Sequence, residues 1–284
     1  MELRSKHVRK GLKYVLLAIY CAFCLIPFLW MVSASFKKPE DVLTVPIQWI
    51  PPEWQLSNYP TAFLAPRFVG HSISHFMLNS LFVALITSGL AIVLSTFVGY
   101  GFAKFKFPGR DALLWGMLST TLLPFSAVVI PLYLIVQALG LIDSLWSLIL
   151  PFALTGQSIF LARQFAITVP SELMDAARVD GASEFRIFWQ IVFPLLGPAI
   201  ATLGIMTFLF SWNQFLWPMV VLSSQGQFTL PLGLSLMGLG STFLVDYHLW
   251  MASATLAVLP PLLFFLLLQR PYLRGLETLS GFKG

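Results

Sequence analysis

Residues 77–103 read MLNSLFVALITSGLAIVLSTFVGYGFA, a run of 27 residues without Asp, Glu, Lys or Arg. A helix rises about 1.5 Å per residue, so about 20 apolar residues cross the roughly 30 Å hydrocarbon core of a bilayer. The run is apolar on every side, whereas a strand of a membrane barrel alternates between polar and apolar residues. This stretch therefore predicts a membrane-spanning α-helix, in which the backbone polar groups are satisfied internally.

The rest of the chain repeats this pattern. Of its 284 residues, 57% are hydrophobic and only 10% are charged, whereas about 25% charged residues is usual in soluble domains. Apart from Lys13 at the edge of the first, six runs lack charge, at 12–36, 77–103, 112–136, 145–162, 198–222 and 248–268. The sequence thus predicts an all-α integral membrane protein with six transmembrane helices. Sparse charge and two cysteines exclude a disordered or disulfide-stapled chain.

The positive charges predict the orientation. Of the 17 Lys and Arg residues, 14 fall in the segments 1–13, 104–111, 163–197 and 269–284. Loops rich in basic residues face the cytoplasm, so both termini are predicted to be cytoplasmic. A basic N-terminus over 1–11 then precedes a six-span domain over 12–284. Contact with anionic membrane lipid explains the excess of positive charge, and no nucleic-acid-binding patch is present.

Two predicted outer loops are longer than a connection between helices requires. Residues 37–76 contain six prolines together with Trp49 and Trp54. Because Trp is enriched at the membrane interface, this favours an ordered segment at that depth. Residues 223–247 become apolar over 230–239, which predicts a short re-entrant or interfacial helix.

The predicted cytoplasmic loop 163–197 contains a helix–turn–helix pattern. A first helix is predicted from Pro170 to about Val179, since proline is favoured at a helix start. Gly181 suits a left-handed helix stop. Ser183 can then cap a second helix.

The second helix of this pattern is predicted to be amphipathic. Phe185, Phe188, Trp189 and Val192 recur at helical spacing and predict one apolar face. The helix is predicted to end before Pro194, because the residue that precedes a proline rarely stays helical. Such a hairpin either docks into a groove on another protein or lies idle on the membrane surface, and its pattern alone leaves both open.

This hairpin resembles the EAA loop of the permease subunits of ABC importers. The usual pattern is Glu-Ala-Ala, three residues, Gly, nine residues, then Ile-x-Leu-Pro. The chain matches it at Ala176, Ala177, Gly181, Ile191 and Pro194, with Asp175 in the place of Glu and Phe193 in the place of Leu. The first departure keeps the charge and the second keeps the apolar bulk. Other stretches, among them 105–110, 212–213 and 269–284, are similar to the carbohydrate-uptake branch, the type of the second maltose permease.

The resemblance implies a type I ABC importer permease fold and a set of partners. These are a homologous second permease subunit, two ABC ATPase subunits and an extracytoplasmic solute-binding protein, in a prokaryotic cytoplasmic (inner) membrane. The first helix of the loop would dock into a cleft on an ATPase and transmit its closure to the membrane helices. The coupling contacts would be Asp175, Ala176, Ala177, Asp180, Gly181 and Ala182. Residues 275–284 of the C-terminal tail 269–284 would reach between the two ATPases.

The chain carries no recognisable catalytic motif. No Gly-Lys pair occurs, which excludes a P-loop, so ATP and Mg²⁺ are expected in the partner ATPase and no cofactor in this chain. Cys21 and Cys24 lie in an apolar run, and His71 and His75 lack a third ligand nearby, so neither pair predicts a redox or metal site. Asp143, in an outer loop, is expected to be a solvated carboxylate.

Polar residues inside the predicted spans are the candidates for a solute path. They are Ser211, Trp212, Asn213 and Gln214 in the fifth run, Gln157 and Ser158 in the fourth, and Ser119, Thr120 and Thr121 in the third. Amides and an aromatic face suit a neutral sugar, but interhelical hydrogen bonding explains the same residues equally well. Adjacent residues lie about 100° apart around a helix, so Asn213 and Gln214 are not both expected to face a cavity squarely.

Two further patterns concern the spans themselves. Small residues recur every four positions on the second span, at Ala91, Ser95, Gly99 and Ala103, and predict a helix-packing face. Pro124 and Pro131 are expected to bend the third span.

Together these patterns predict the permease subunit of an ATP-driven importer that moves a sugar or oligosaccharide by alternating access. One alternative is the same machine with a glycerol phosphodiester or polyol as cargo. The lack of basic residues within the spans favours a neutral solute. A stand-alone secondary carrier is a further alternative, but such carriers usually hold an ionisable residue inside a span.

Overall fold

A computed structural model describes residues 2–65, 71–239 and 246–280, and it describes their side chains except at 2–10, 237–239 and 274–280. Within these ranges the α-helices are α1 (Glu2–Ser35), α2 (Asn58–Leu64), α3 (Ile73–Lys104), α4 (Arg110–Thr120), α5 (Phe125–Ala138), α6 (Trp146–Ile149), α7 (Gly156–Thr168), α8 (Ser171–Val179), α9 (Glu184–Ile187), α10 (Phe193–Leu195), α11 (Gly197–Trp212), α12 (Leu216–Val221), α13 (Leu230–Leu239) and α14 (Tyr247–Ser280). A π-helical turn, Phe188–Val192, joins α9 to α10. The predicted all-α class and the helix over 230–239 are confirmed. Residues 281–284, the end of the predicted tail, lie outside the described residues, as do the side chains of 2–10.

Three helical stretches are long and apolar enough to cross a membrane, namely Gly11–Ser35, Ile73–Lys104 and Tyr247–Leu273. Two bent pairs of helices meet the same requirement when each pair is taken together. In the first, α4 meets α5 at an angle of 103°, and in the second, the stretch Glu184–Leu195 meets α11 at 77°. The described residues thus contain three spans, or up to five if each bent pair is one span. The count of six crossings stays a prediction.

The third apolar run is two helices rather than one bent helix. α4 ends at Thr120 and α5 begins at Phe125, and Pro124 stands between them with extended backbone. Proline has no N–H to donate and restricts the residue before it, so a helix rarely continues through such a position. The bend expected at Pro124 is therefore a full break, whereas Pro131 lies inside α5.

The fourth and fifth runs are divided as well. Residues 145–162 contain α6, a 3-10 turn that includes Pro151, and only the first half of α7. The fifth run is interrupted at 213–215, between α11 and α12. Irregular backbone at membrane depth is tolerated only where it is buried in protein or lines a water-filled cavity. These interruptions therefore indicate where a solute path can lie.

The chain divides into two compact units. The first comprises residues 1–73 and 234–258, and the second comprises residues 74–233 and 259–284. The predicted first outer loop belongs mostly to the first unit. The predicted hairpin and most of the divided apolar runs belong to the second.

In the first unit the described stretch 37–65 of the outer loop contacts the end of α1. The Asn58 side-chain amide donates a hydrogen bond of 2.9 Å to the backbone oxygen of Ser35. The Phe36 ring lies 5.2 Å from the Trp54 ring and 5.0 Å from the Tyr59 ring, measured between centroids. Asn58 and the three aromatic rings therefore hold this part of the loop against the end of α1.

In the second unit α7 comes close to the backbones of α3 and α4. A methyl group on Gly99 of α3 would lie 2.8 Å from the Ala162 Cβ and 2.8 Å from the Arg163 backbone nitrogen. A methyl group on Gly156 of α7 would lie 2.2 Å from the backbone oxygen of Met117. The ladder of small residues on α3 is thus a packing face, as predicted.

Replacing Gly99 with alanine is expected to destabilise the protein. The atoms that the new methyl group would meet include backbone atoms of α7, so the whole helix must shift. Overpacking of this kind costs about 1–3 kcal/mol. Thermal unfolding in detergent measures the effect, with Gly101→Ala on the same helix as the control, because a methyl group there meets nothing within 4 Å. Equal melting temperatures for the two variants would contradict the close contact.

A clasp of hydrogen bonds holds the connection between α5 and α6 in the second unit. The Asp143 carboxylate accepts hydrogen bonds from the Ser223 N–H at 2.9 Å, from the Ser224 N–H at 2.8 Å and from the Ser224 hydroxyl. The Asp143 N–H donates to the Val221 backbone oxygen at 2.8 Å. Burial alone would raise the pKa of Asp143, but these hydrogen bonds outweigh it and lower the pKa. The carboxylate lies near the surface, as expected, but it also binds donors some 80 residues away in sequence, which the sequence pattern did not predict.

Candidate functional site

The turn of the predicted hairpin has the expected geometry. α8 ends at Val179, as predicted, and Gly181 follows in a left-handed conformation with a φ of 80°. The Ala182 N–H donates to the Ala177 oxygen at 2.9 Å, and the Gly181 N–H donates to the Arg178 oxygen at 3.0 Å. These two bonds form a Schellman helix end, in which glycine avoids the strain that a side chain would suffer.

The second helix of the hairpin differs from the prediction. Ser183 caps it, as expected, but its buried side consists of Ile187, Phe188 and Val192, whereas Phe185 is 65% exposed. The π turn is the cause, because its backbone bonds join residues five apart and bring Ile187 towards the same side as Val192. A pattern search at the α-helical period misses such a shift.

The helical path also passes through Pro194, where it was predicted to end. α10 reaches Leu195, and the break falls at Leu196. Pro194 lies in the first turn of α10. The missing N–H is best tolerated at such a position.

The underside of the hairpin is covered by protein. Met174, Ile187 and Phe188 are fully buried in one cluster with Tyr100 of α3 and Phe165 of α7. A hairpin with its apolar side packed in this way does not need a membrane surface to cover it. The packed side of the hairpin is therefore not available to a membrane, and the choice between docking and an idle hairpin stays a prediction.

Charged groups brace the two helices of the hairpin against each other. Arg178 donates to the Asp175 carboxylate at 2.6 Å and to the Glu184 carboxylate at 2.6 and 3.3 Å. The hydrogen bond to Glu184 is the main cause of a raised pKa at Arg178, which stays charged. All three side chains are more than a third exposed, and exposed ion pairs contribute little stability. Their effect is mainly to fix the angle of the turn.

The predicted coupling residues gather at this turn. Asp175, Ala176, Asp180 and Gly181 are exposed, and Ala177 and Ala182 are half-buried. A methyl group on Gly181 would meet no atom within 4 Å. The small side chains let the surface of another protein approach the backbone closely, and Val179, which is 89% exposed, adds apolar area. We call this surface, over residues 175–182, the elbow.

A cavity of about 650 Å³ opens between α4, α5, α7 and α11 in the second unit. Its polar lining consists of Thr120, Thr121, Thr155, Gln157, Ser158 and Thr207. Its aromatic lining consists of Phe125, Phe152 and Phe210. None of the residues that line it is charged. A chamber with hydroxyls, one amide and aromatic faces suits a neutral, hydroxyl-rich solute.

The predicted path residues separate into two groups. Gln157 is exposed and lines the cavity, whereas Trp212, Asn213 and Gln214 are not among the residues that line it. The Trp212 ring is 3% exposed and stacks on Phe208 at 5.8 Å, which is the geometry of a packing residue.

The two amides beside Trp212 have different surroundings. Asn213 is exposed and donates to the Leu209 oxygen at 2.8 Å. Both polar atoms of the Gln214 side chain are buried without a hydrogen-bond partner. A direct role of these two residues stays a prediction.

Sequence inspection missed part of the cavity lining, namely Thr155, Thr207 and the three phenylalanines. They come from helices far apart in the chain and follow no common spacing. In the sequence, Pro124, which is expected to bend the third span, lies next to one of them, Phe125. Among the described residues, no group of three His, Cys, Asp or Glu side chains can hold a metal ion.

Comparisons with known proteins agree with this architecture. Residues 91–276 match the family "Binding-protein-dependent transport system inner membrane component". The arabinooligosaccharides transport system permease protein AraQ of Bacillus subtilis is 36% identical over 263 residues, which cover 92% of this chain and 91% of that protein. The sn-glycerol-3-phosphate transport system permease protein UgpE of Agrobacterium fabrum is 30% identical and covers 96% of this chain and 98% of its own length.

A solved structure shares the fold. It is the crystal structure of a bacterial ABC transporter involved in the import of the acidic polysaccharide alginate, and one of its chains superposes with a TM-score of 0.82. The superposition covers 94% of this chain and 97% of that chain, at 21% sequence identity. Together with the family match and the two permeases, it shows that the chain is a multi-pass inner-membrane protein of the family of binding-protein-dependent transport system inner membrane components, the permeases of ABC importers.

Proposed function

We propose that this chain is the permease subunit of an ATP-driven importer for a sugar or oligosaccharide. Similarity to an arabinooligosaccharide permease over 92% of the chain supports the cargo class. The proposal rests mainly on one observation. An exposed elbow and an uncharged, hydroxyl-lined cavity occur in the same compact unit. The elbow provides a contact for a motor, and the cavity provides room for a solute.

In this proposal a homologous second permease, two ATPase subunits and an extracytoplasmic binding protein complete the importer. ATP and Mg²⁺ are held by the ATPases, and this chain carries no cofactor of its own. The coupling contacts are Asp175, Ala176, Ala177, Asp180, Gly181 and Ala182. Closure of the ATPases displaces the elbow, and the membrane helices follow and switch the access of the cavity.

The proposed topology has six crossings with both termini in the cytoplasm. The three long spans, the bent pair of α4 and α5, and α11 account for five of them. The region of α6 and α7 accounts for the sixth, since it lies in the apolar run 145–162. The tail 269–284 extends the last crossing towards the ATPases.

A glycerol phosphate is the second candidate cargo, because a glycerol-3-phosphate permease is also a relative. A phosphate group is recognised by Arg, Lys or backbone N–H groups. The cavity lining contains no charged residue. This favours a neutral sugar, while Gln157 and the threonines supply hydrogen bonds to hydroxyls.

Reconstitution tests the proposal. The chain is co-purified with its partner permease and ATPases in proteoliposomes, and uptake of an arabino-oligosaccharide and of glycerol 3-phosphate is measured with the binding protein present. We expect oligosaccharide uptake that requires ATP. Uptake without the ATPases would show a stand-alone carrier, and uptake of glycerol 3-phosphate alone would show the second cargo class.

A further inference from the structure

The last turn of α3 holds the hairpin at two points. Tyr100 and Lys104 are four residues apart and therefore lie on the same face of the helix. The Lys104 ammonium donates to the backbone oxygen of Val169 at 2.5 Å, just before α8 begins. The Tyr100 hydroxyl donates to the Glu184 carboxylate at 3.1 Å, at the first residue of α9. The two bonds thus flank the elbow, one before α8 begins and one at the start of α9.

The contact of Tyr100 with Glu184 is the more specific of the two. Glu184 also binds Arg178, which in turn binds Asp175. Glu184 therefore belongs to the ion-pair network that links α8 to α9. The Tyr100 side chain is 3% exposed, and its ring lies 5.8 Å from that of Phe188. A phenylalanine would fill the same space. The hydroxyl adds only a directional bond to the hinge of the hairpin.

From Tyr100 the contacts continue to the cavity. Its neighbour Gly99 is the point where α3 touches the backbone of α7 at Ala162. The first residues of α7, among them Gln157, line the cavity. Contacts therefore connect the hairpin at Glu184, through Tyr100 and Gly99 of α3, to α7 and the cavity within the second unit.

We propose that Tyr100 is the positioning residue that makes α3 follow the elbow, so that a displacement of the hairpin reaches α7 and the cavity. The inference rests on the proposed function, since it needs a motor that moves the elbow. A contact series alone does not prove energetic coupling. The test must therefore measure coupling rather than stability.

The variant Tyr100→Phe keeps the ring and removes the hydroxyl. In the reconstituted complex we expect the solute imported per ATP hydrolysed to fall about three- to tenfold, with assembly, melting temperature and basal ATPase unchanged. Tyr133→Phe, which removes a hydroxyl from α5, is the matched control and should behave as wild type. An unchanged ratio of import to hydrolysis in Tyr100→Phe would overturn the inference.

A second measurement separates transmission from a general loosening. In a Glu184→Ala background, Tyr100→Phe should have no further effect, because both changes remove the same bond. An equal additional loss in that background would overturn the inference.

Hydrogen exchange makes the test independent of transport. In the wild-type complex we expect nucleotide to change the exchange of amides 97–103 of α3, and in Tyr100→Phe this response should be lost. An equal response in both would overturn the inference. If the wild-type complex responds in this way but imports no solute, the proposed function fails while the role of Tyr100 stands.

Discussion

The variant Gly181→Trp is expected to abolish transport while the protein still inserts into the membrane. Gly181 lies at the tip of the elbow with a φ of 80°, and no atom of the chain lies within 4 Å of the position of its missing Cβ. A tryptophan there does not disturb the fold through contacts but projects into the space that a docking ATPase needs. We expect uptake to fall at least tenfold and ATP hydrolysis to lose its response to the loaded binding protein.

Two control variants separate docking from backbone strain. Left-handed backbone is unfavourable for any residue with a side chain, at about 1–2 kcal/mol. Gly181→Ala carries this strain without bulk and should keep most of the transport. Gly109→Trp combines the same bulk with a φ of 77° and equally open surroundings. Normal transport in Gly181→Trp, or an equal loss in Gly109→Trp, would argue against the elbow as the docking surface.

The variant Gln157→Trp is expected to block the solute path. Gln157 is exposed at the start of α7 and lines the cavity of about 650 Å³, so an indole at this position occupies space that a sugar ring requires. We expect uptake to fall at least tenfold in proteoliposomes, with the complex still assembled and basal ATPase preserved. The elbow is untouched by this change, so the loss arises at the cavity.

The same substitution elsewhere defines the site. Gln137→Trp places an indole on an exposed position of α5 that is not among the cavity-lining residues, and it should leave transport unchanged. Asn213→Trp tests the alternative path at the interruption between α11 and α12. If Asn213→Trp blocks uptake and Gln157→Trp does not, the solute passes through the interruption and the assignment of the cavity is wrong.

Local rules were enough to predict the first half of the hairpin. The end of α8 at Val179, the left-handed Gly181 and the cap at Ser183 each depend on a few neighbouring residues. Backbone sterics and capping act over such short distances, so they can be inferred from the sequence. The family match over residues 91–276 includes this segment.

The second half of the hairpin required the structure. A π turn depends on how Ile187 and Phe188 pack against α3 and α7. The residue types within the turn do not predict it. The cavity is a similar case, because its walls come from four helices. Long-range packing decided these features, whereas composition and periodicity decided the number of apolar runs and the all-α class.

The interruptions of the runs were only partly predictable. Pro124 gave a sound reason for a break, and the structure places one there. Pro131 offered the same signal but lies within α5. A proline shows where a helix can end, and tertiary packing decides whether it does.

The hydrogen bonds at Asp143 affect how the outer connection between α5 and α6 responds to pH. Its hydrogen bonds lower the pKa of the carboxyl group, so the charged form, and any stability it contributes, is lost only as the pH falls through this lowered value. In the proposed orientation the clasp lies on the outer side, where the medium is not buffered by the cell. The connections at Asp143 are therefore expected to persist further into the acid range than a carboxyl group with the ordinary pKa would allow.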